Sequence, residues 1–382
     1  MREALYHPRW GYYAGAERQT PRVGRTGDFS TAATLHPALG QAVAAWAWAH
    51  RREVMHPGSG VWHVIELGGG NGQLAAAFLE KFGWWRRRKL RYGIVEISPS
   101  LRQEQQTRLA RWQAAGTVTW HDDIAAALAN AHGRALIFSN EFVDAFPCVQ
   151  LVRDRAAPRG WHEVRLRWPE GATAPILLAS VDLDARLVAD CGFFDECAMA
   201  AFADGQHVEV HRAYREWLTD ALLPRWRAGR LLTIDYGDEL PALYHRRPRG
   251  TLRAYARHLR FDPGDPAIFT RPGQQDLTAD VNFSDLRRWG RALGLREATG
   301  PLLDQRAFLL RWLPQPPVAD AIGQFLLDPA GAGGAIKVLE QIRVDAAVSA
   351  DGVGMMRWAC VTHIAPRHCR TTSRRLRFPP DK

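Results

Sequence analysis

A chain of 382 residues can build one large domain or two with an ample core, and a 46% apolar content with 15 tryptophans excludes a disordered protein. The formal net charge of +10 comes almost entirely from arginine, because lysine occurs only at 81, 89, 337 and 382. Its cations are scattered apart from a dense tail, Arg367 to Arg377, so charge alone does not single out nucleic acid as a partner.

Residues 1–58 are expected to form an N-terminal cap, with a turn at Gly11-Tyr12-Tyr13 and a helix from about Pro37 to Arg52. An apolar run, Val64-Ile65-Glu66-Leu67, reads as a first strand. Glycines follow at 68, 70 and 72, and a helix is predicted from Gln73 to Phe82. A strand, a glycine turn and a helix N-terminus together make a nucleotide-type cofactor site, because glycine turns sharply and lets a ligand approach closely. The register starting at Gly68 fails the dinucleotide fingerprint, since position 73 is Gln, and a weaker match from Gly70 to Ala75 starts late after the strand. No Gly-Lys-Ser/Thr follows, which excludes an ATPase phosphate loop. Glu-x-Gly-x-Gly-x-Gly, from Glu66 to Gly72, is the pattern of S-adenosylmethionine (SAM) methyltransferases.

Three further strands follow in the order a doubly wound sheet requires. Ile94-Val95-Glu96 ends the second, where an acid can accept from both ribose hydroxyls. Trp84 to Lys89 is read as a long surface turn before it. Val118 to Asp123 is the third, with Asp122 and Asp123 placed to accept from an adenine amino group. Ala135 to Glu141 is the fourth and runs into a polar tip. Each feature also has a purely structural reading: a glycine turn is often only a turn, Glu96 can be a solvated strand end, and Asp122 or Asp123 can cap the helix Ile124 to Ala131. Their ordered recurrence favours the cofactor site.

Beyond the fourth strand, residues 148–228 look like an insertion, with a hairpin of Cys148–Arg153 and Trp161–Trp168 and a helix from about Arg212 to Arg227. The sheet resumes at Leu231 to Gly237. Residues 238–282 read as long loops over the site, and a helix from Asn282 to Leu293 with the segment through Leu313 completes the sheet. Residues 314–364 read as short helices and connectors, and 365–382 as a basic tail. The domain plan is therefore a cap (1–58), a Rossmann-like core (60–147 and 229–313), an inserted region (148–228) and a C-terminal part. Five cysteines without metal spacing suggest reduced thiols and no metal centre. No apolar run spans a bilayer and no targeting segment opens the chain, so a cytoplasmic protein is expected, mitochondrial only if a presequence is missing.

Several segments recur together: Leu5-Tyr6-His7-Pro8 with Gly11-Tyr12-Tyr13, Gly27-Asp28-Phe29-Ser30-Thr31, Glu66 to Gly72, Ser139-Asn140-Glu141-Phe142-Val143-Asp144-Ala145-Phe146-Pro147, Asp235-Tyr236-Gly237, Gly250 to Tyr255, and Asp276 to Phe283. On these the chain resembles the MidA-like SAM-dependent methyltransferases, which include the mitochondrial complex I assembly methyltransferase, from Leu5 to about Lys337. The resemblance implies an α/β class I methyltransferase fold with a cap and an inserted substrate-facing region, SAM as cofactor, and arginine of a protein as acceptor. The chain departs from the family where Ala32-Ala33-Thr34 replaces Ser-Pro-Glu, at an insertion from Asp265 to Arg271, and at Ile336-Lys337 in place of Phe-Lys.

The expected cofactor residues are Glu66, Gly68, Gly70, Gly72, Glu96, Asp122, Asp123, Asn140 and Asp28. Methyl transfer from SAM is mainly orientation chemistry, and carboxylates can clamp a guanidinium that stays protonated. Glu141 is the expected main clamp, Asp144 its support or a helix cap, and Asn140 a holder of SAM or acceptor. Asp235 and Tyr236 rank second, Thr278 and Asp280 read as a loop network, and His258 as an exposed loop histidine. The partner expected is a protein; a homodimer is open, and a nucleic acid is disfavoured because Glu and not Pro-Pro follows Asn140. A small-molecule acceptor and a non-enzymatic assembly factor that keeps a SAM site are the alternatives.

Overall fold

The computed structural model describes residues 1–15, 36–172, 175–195, 200–257, 259–298, 300–315, 317–318 and 320–345. Its centre is a mainly parallel sheet made of β1 (Trp62–Leu67), β2 (Leu90–Val95), β3 (Val118–His121), β4 (Arg134–Asn140) and a longer strand, Ala228–Asp238. In chain order the strands between β4 and that one are β5 (Val149–Arg153), β6 (Trp161–Arg167), β7 (Ile176–Ser180) and β8 (His207–Val210), so the long strand is β9. Then come β10 (Arg253–Ala256), β11 (Leu259–Phe261), β12 (Asp276–Thr278), β13 (Val281–Asn282), β14 (Arg296–Glu297), β15 (Leu303–Asp304) and β16 (Ile336–Arg343). The central order is β3-β2-β1-β4-β9-β16-β14, with β1 parallel to β2 and β4, and β9 parallel to β4. The order reverses at β1, so β1 and β4 end at a switch point, where such sheets bind ligands.

All six residues of β1 are buried, as a strand covered on both faces requires. Alternation splits them: Trp62 and Val64 pack with the helix Ala38–His50, while Ile65 and Leu67 pack on the opposite face with Trp226 and Phe283. The helix Gln73–Glu80 buries Leu74, Ala75, Phe78 and Leu79 on the first face. On the second, Asn282 caps the helix Phe283–Ala292 by accepting from the Ser284 N–H at 3.1 Å.

Four details differ from the sequence-based expectations. Trp84–Arg87 is a short helix and not an open turn. The insertion is a four-stranded antiparallel sheet, β7-β6-β5-β8, because β8 and β7 flank the predicted hairpin. Residues 238–282 carry a second small sheet, β11-β10-β12, against which Leu5 and Tyr12 of the cap bury themselves. The segment through Leu313 does join the sheet, as β14 and β15, but only through β16, an unexpected strand that pairs antiparallel with β9 from Ile336↔Tyr236 to Arg343↔Gly229.

Candidate active site

The carboxyl ends of β1, β2, β4 and β9 open into one cavity of about 850 Å³, within the usual size for a small-molecule site. At one end lie Glu66, Gly68, Gly70, Asn71 and Glu96. Gly70 has φ +53° and a Cβ added to it would meet nothing within 4 Å, so its backbone faces open cavity. Gly68 has φ +66°, and a Cβ there would lie 2.9 Å from the Phe142 ring. Only glycine suits this turn on both counts. Gly72 sits behind the turn as the N-cap of Gln73–Glu80, outside the cavity lining.

Both acids at this end are buried. Glu66 Oε2 accepts from the Tyr92 hydroxyl at 2.8 Å, and Glu96 accepts from the Ser98 N–H at 2.9 Å and from Gln105 Nε2 at 3.0 Å. Burial raises each carboxyl to about 7, against these hydrogen bonds. Gln105 is a participant that the sequence reading missed. Its Nε2 also donates to Gly70 O at 2.7 Å, and its Oε1 accepts from Trp120 Nε1 at 2.9 Å. One fully buried amide thus ties the glycine turn to Glu96 and to β3. A glutamine in mid-helix carries no local sequence signal for such a role. Gln105→Ala is expected to cost about 2 kcal/mol of stability and to weaken SAM about tenfold, read by thermal denaturation and calorimetric titration. Unchanged affinity would show that Gln105 braces the fold without shaping the site.

The other end is built by β4, β9 and the small sheet. After Asn140 the chain turns at Glu141, whose φ of 49° is unusual for a residue with a side chain. The turn is held from β9: Glu141 donates its N–H to Ile234 O at 2.9 Å. The Asp235 carboxylate then accepts from the N–H groups of Phe142, Val143 and Asp144, at 3.1, 2.8 and 3.3 Å. Asp235 is fully buried and does not line the cavity, so it positions the turn. Asn140, Glu141 and Asp144 all line the cavity, joined by Tyr236, Tyr6 and Tyr13. The two cap tyrosines are anchored, Tyr13 Oη on Asp276 at 2.8 Å and Tyr6 Oη on Ala145 O at 2.8 Å.

Asp144 caps no helix. Burial, then neighbouring Asp276, lifts its carboxyl to about 7, with Arg253 pulling the other way. Asp280 is paired with Arg247 and Arg253 and its N–H is bonded to Thr251 Oγ1 at 3.0 Å, the loop network expected of it. The Thr251 segment is braced in turn by Glu209 of β8, another residue that sequence gave no reason to single out: its carboxylate accepts from Thr251 Oγ1 at 2.9 Å and Thr251 N at 3.1 Å. Two buried polar atoms of cavity residues, Asn140 Oδ1 and Thr278 Oγ1, have no hydrogen-bond partner among the described residues. Buried polar groups are normally satisfied, so these two atoms are available to a ligand in the cavity.

Two expected cofactor residues stand elsewhere. Asp123 caps the helix Ile124–Asn130 through the Ala126 N–H at 2.7 Å, and Asp122 is 2.8 Å from Arg102 in an exposed ion pair; neither lines the cavity. Asp28 lies outside the described residues, as does His258.

A family model of S-adenosyl-L-methionine-dependent methyltransferases matches residues 42–301. The chain belongs to this family. Among relatives, it is 26% identical over 334 residues to the mouse mitochondrial protein arginine methyltransferase NDUFAF7, covering 81% of this chain and 68% of that protein. It is 27% identical over 346 residues to the Drosophila melanogaster homologue, covering 81% and 70%. A crystal structure from Burkholderia thailandensis bound to S-adenosyl-homocysteine superposes with a TM-score of 0.70 at 27% identity, covering 90% of this chain and 86% of that one. The methyltransferase therefore has the class I fold read from its sequence and uses SAM. The cytoplasmic expectation is overturned: these curated relatives are mitochondrial, and the opening residues are no guide to compartment. No helix among the described residues is long and apolar enough to cross a membrane.

The residues present fit the cofactor. The end with Glu66, Gly68, Gly70 and Glu96 offers open backbone and two carboxylates, and Asn140 Oδ1 is an acceptor awaiting a donor.

Proposed function

We infer that the methyltransferase methylates an arginine of a protein substrate. The observation that carries this is the carboxylate cluster at the acceptor end: Glu141, Asp144 and Asp276 line the cavity, and Asp144 is held near 7 by burial beside Asp276. Arg247 and Arg253, which also line the cavity, are both drawn to Asp280. An incoming guanidinium can be held by such carboxylates in a bidentate manner. The names of the curated relatives support the same reading.

Glu66 and Glu96 would hold the polar groups of the cofactor, with Asn140 in the same cavity as a further holder of cofactor or acceptor. SAM supplies a methyl group already activated on a sulfonium. The protein has to orient the acceptor nitrogen and take up the proton released from it. Glu141 orients the guanidinium, and Asp144 is placed to accept that proton. Tyr6, Tyr13 and Tyr236 wall this end with aromatic surface.

The test is methyl transfer from radiolabelled SAM to a mixture of protein substrates, with amino-acid analysis of the product. Methylarginine is the expected product. Methyl-lysine or a labelled small molecule would remove the arginine reading, and SAM binding without any transfer would favour the assembly-factor alternative.

A further inference from the structure

The helix Trp84–Arg87 lies between the helix Gln73–Glu80 and β2, far from any role in the cavity. Trp84 and Trp85 are 59% and 73% exposed, although large aromatics are normally buried. Their rings meet edge-to-face at 4.5 Å, and the Arg88 guanidinium lies 5.1 and 5.4 Å from the two ring centres. The fold adds cations that sequence separates: Arg51 and Arg86 both lie over the Trp48 ring, at 3.5 and 5.0 Å. The patch thus gathers Arg51, Arg52, Arg86, Arg87, Arg88 and Lys89. Nearby carboxylates are engaged elsewhere, Glu53 on Arg230 and His50, and Glu80 on Arg111. Burial, and then the charges of Arg52 and Arg86, hold the Arg51 guanidinium below its ordinary range.

We propose that this patch docks the protein on an anionic lipid surface, with Trp84 and Trp85 entering the headgroup region and the surrounding cations facing lipid phosphates. Protruding tryptophans ringed by arginine suit a membrane interface, where an amphipathic ring sits at headgroup level. Clustered cations add electrostatic attraction to anionic lipid. A second copy of the same patch would meet it with like charge, and the basic tail from Arg367 to Arg377 has the same sign. Nucleic-acid stacking surfaces line grooves, whereas these rings project from a short helix. The patch lies at the amino end of the strands, since Lys89 O accepts from Trp62 N at 2.9 Å where β1 begins. The cavity is at the opposite ends of β1 and β2, about 20 Å away, so docking leaves its mouth open to substrate.

The experiment is co-sedimentation of the full chain with vesicles of phosphatidylcholine alone and of phosphatidylcholine mixed with phosphatidylglycerol. Binding only to the mixed vesicles, falling with added salt, is expected. R86Q/R87Q/R88Q should weaken it on the order of a hundredfold. W84A/W85A should weaken it about tenfold or more. Both variants should bind S-adenosylhomocysteine like the wild type, which shows that they are folded. Equal binding to neutral vesicles, no effect of either variant, or displacement from mixed vesicles by a double-stranded RNA oligonucleotide would overturn the proposal, the last reassigning the patch to nucleic acid.

Discussion

Gly70→Arg is expected to abolish S-adenosylhomocysteine binding in a protein that still folds. Gly70 faces open cavity, so a side chain there enters the ligand space and not the core. The residue would also have to hold φ near +53°, which costs a non-glycine residue about 1–2 kcal/mol. The guanidinium would further be drawn to Glu66 and Glu96, the two buried carboxylates at this end, and would occupy the place of the ligand's own polar groups. Affinity should fall by more than about a hundredfold, beyond what backbone strain alone explains at about tenfold per 1.4 kcal/mol. Gly70→Ala separates the two effects, because its methyl group enters open space and only the strain remains. Calorimetric titration of both variants decides the matter. Retained binding by Gly70→Arg would mean that the cofactor lies elsewhere in the cavity.

The cofactor end was legible because its chemistry sits on consecutive residues. Glu66 to Gly72 shows a strand, a turn and a helix start in one line of sequence, and Glu96 follows the next apolar run. The limits of that legibility are also local. Asp122 and Asp123 stand at the right strand end, yet one-residue shifts in β3 decide whether an acid faces a ligand, an arginine or a helix N-terminus. Gln105 and Glu209 act through contacts spanning 35 and 42 residues, to Gly70 and Thr251, and no periodicity announces them. β16 escaped notice because Ile336 to Arg343 mixes buried and half-buried positions without clean alternation, and because an antiparallel partner far along the chain completes it. Residues 238–282 looked like loops because Pro, Gly and Arg dominate their composition, while three short strands borrow their core from Leu5 and Tyr12 of the cap. Asp235 illustrates the remaining gap. Sequence marked it as a candidate at a strand end, and the fold uses it to gather three N–H groups of the turn that presents Glu141 and Asp144.

Glu141→Gln and Asp144→Asn should each lower kcat by about a hundredfold to a thousandfold, as loss of one aligned electrostatic partner of a transition state does, while leaving SAM binding unchanged. The pH dependence distinguishes them. The ionised form of Asp144 is the competent one for holding a cation and taking a proton, so kcat/KM of the wild type should fall as pH drops through about 7. Asp144→Asn should lose that limb; Glu141→Gln should keep it. Stability runs the other way. The folded carboxyl is raised above its unfolded value, so the folded state binds more protons between about 4 and 7, and stability declines as pH rises through that window. Asp144→Asn removes the buried charge and should therefore be more stable than the wild type at pH 8, on the order of 2 kcal/mol, with the gain vanishing near pH 4. Denaturant titrations at the two pH values measure it. An inactive variant that is also less stable at pH 8 would show Asp144 to be a brace of the turn, whereas inactivity with a gain in stability is the mark of a carboxylate kept buried for its ligand.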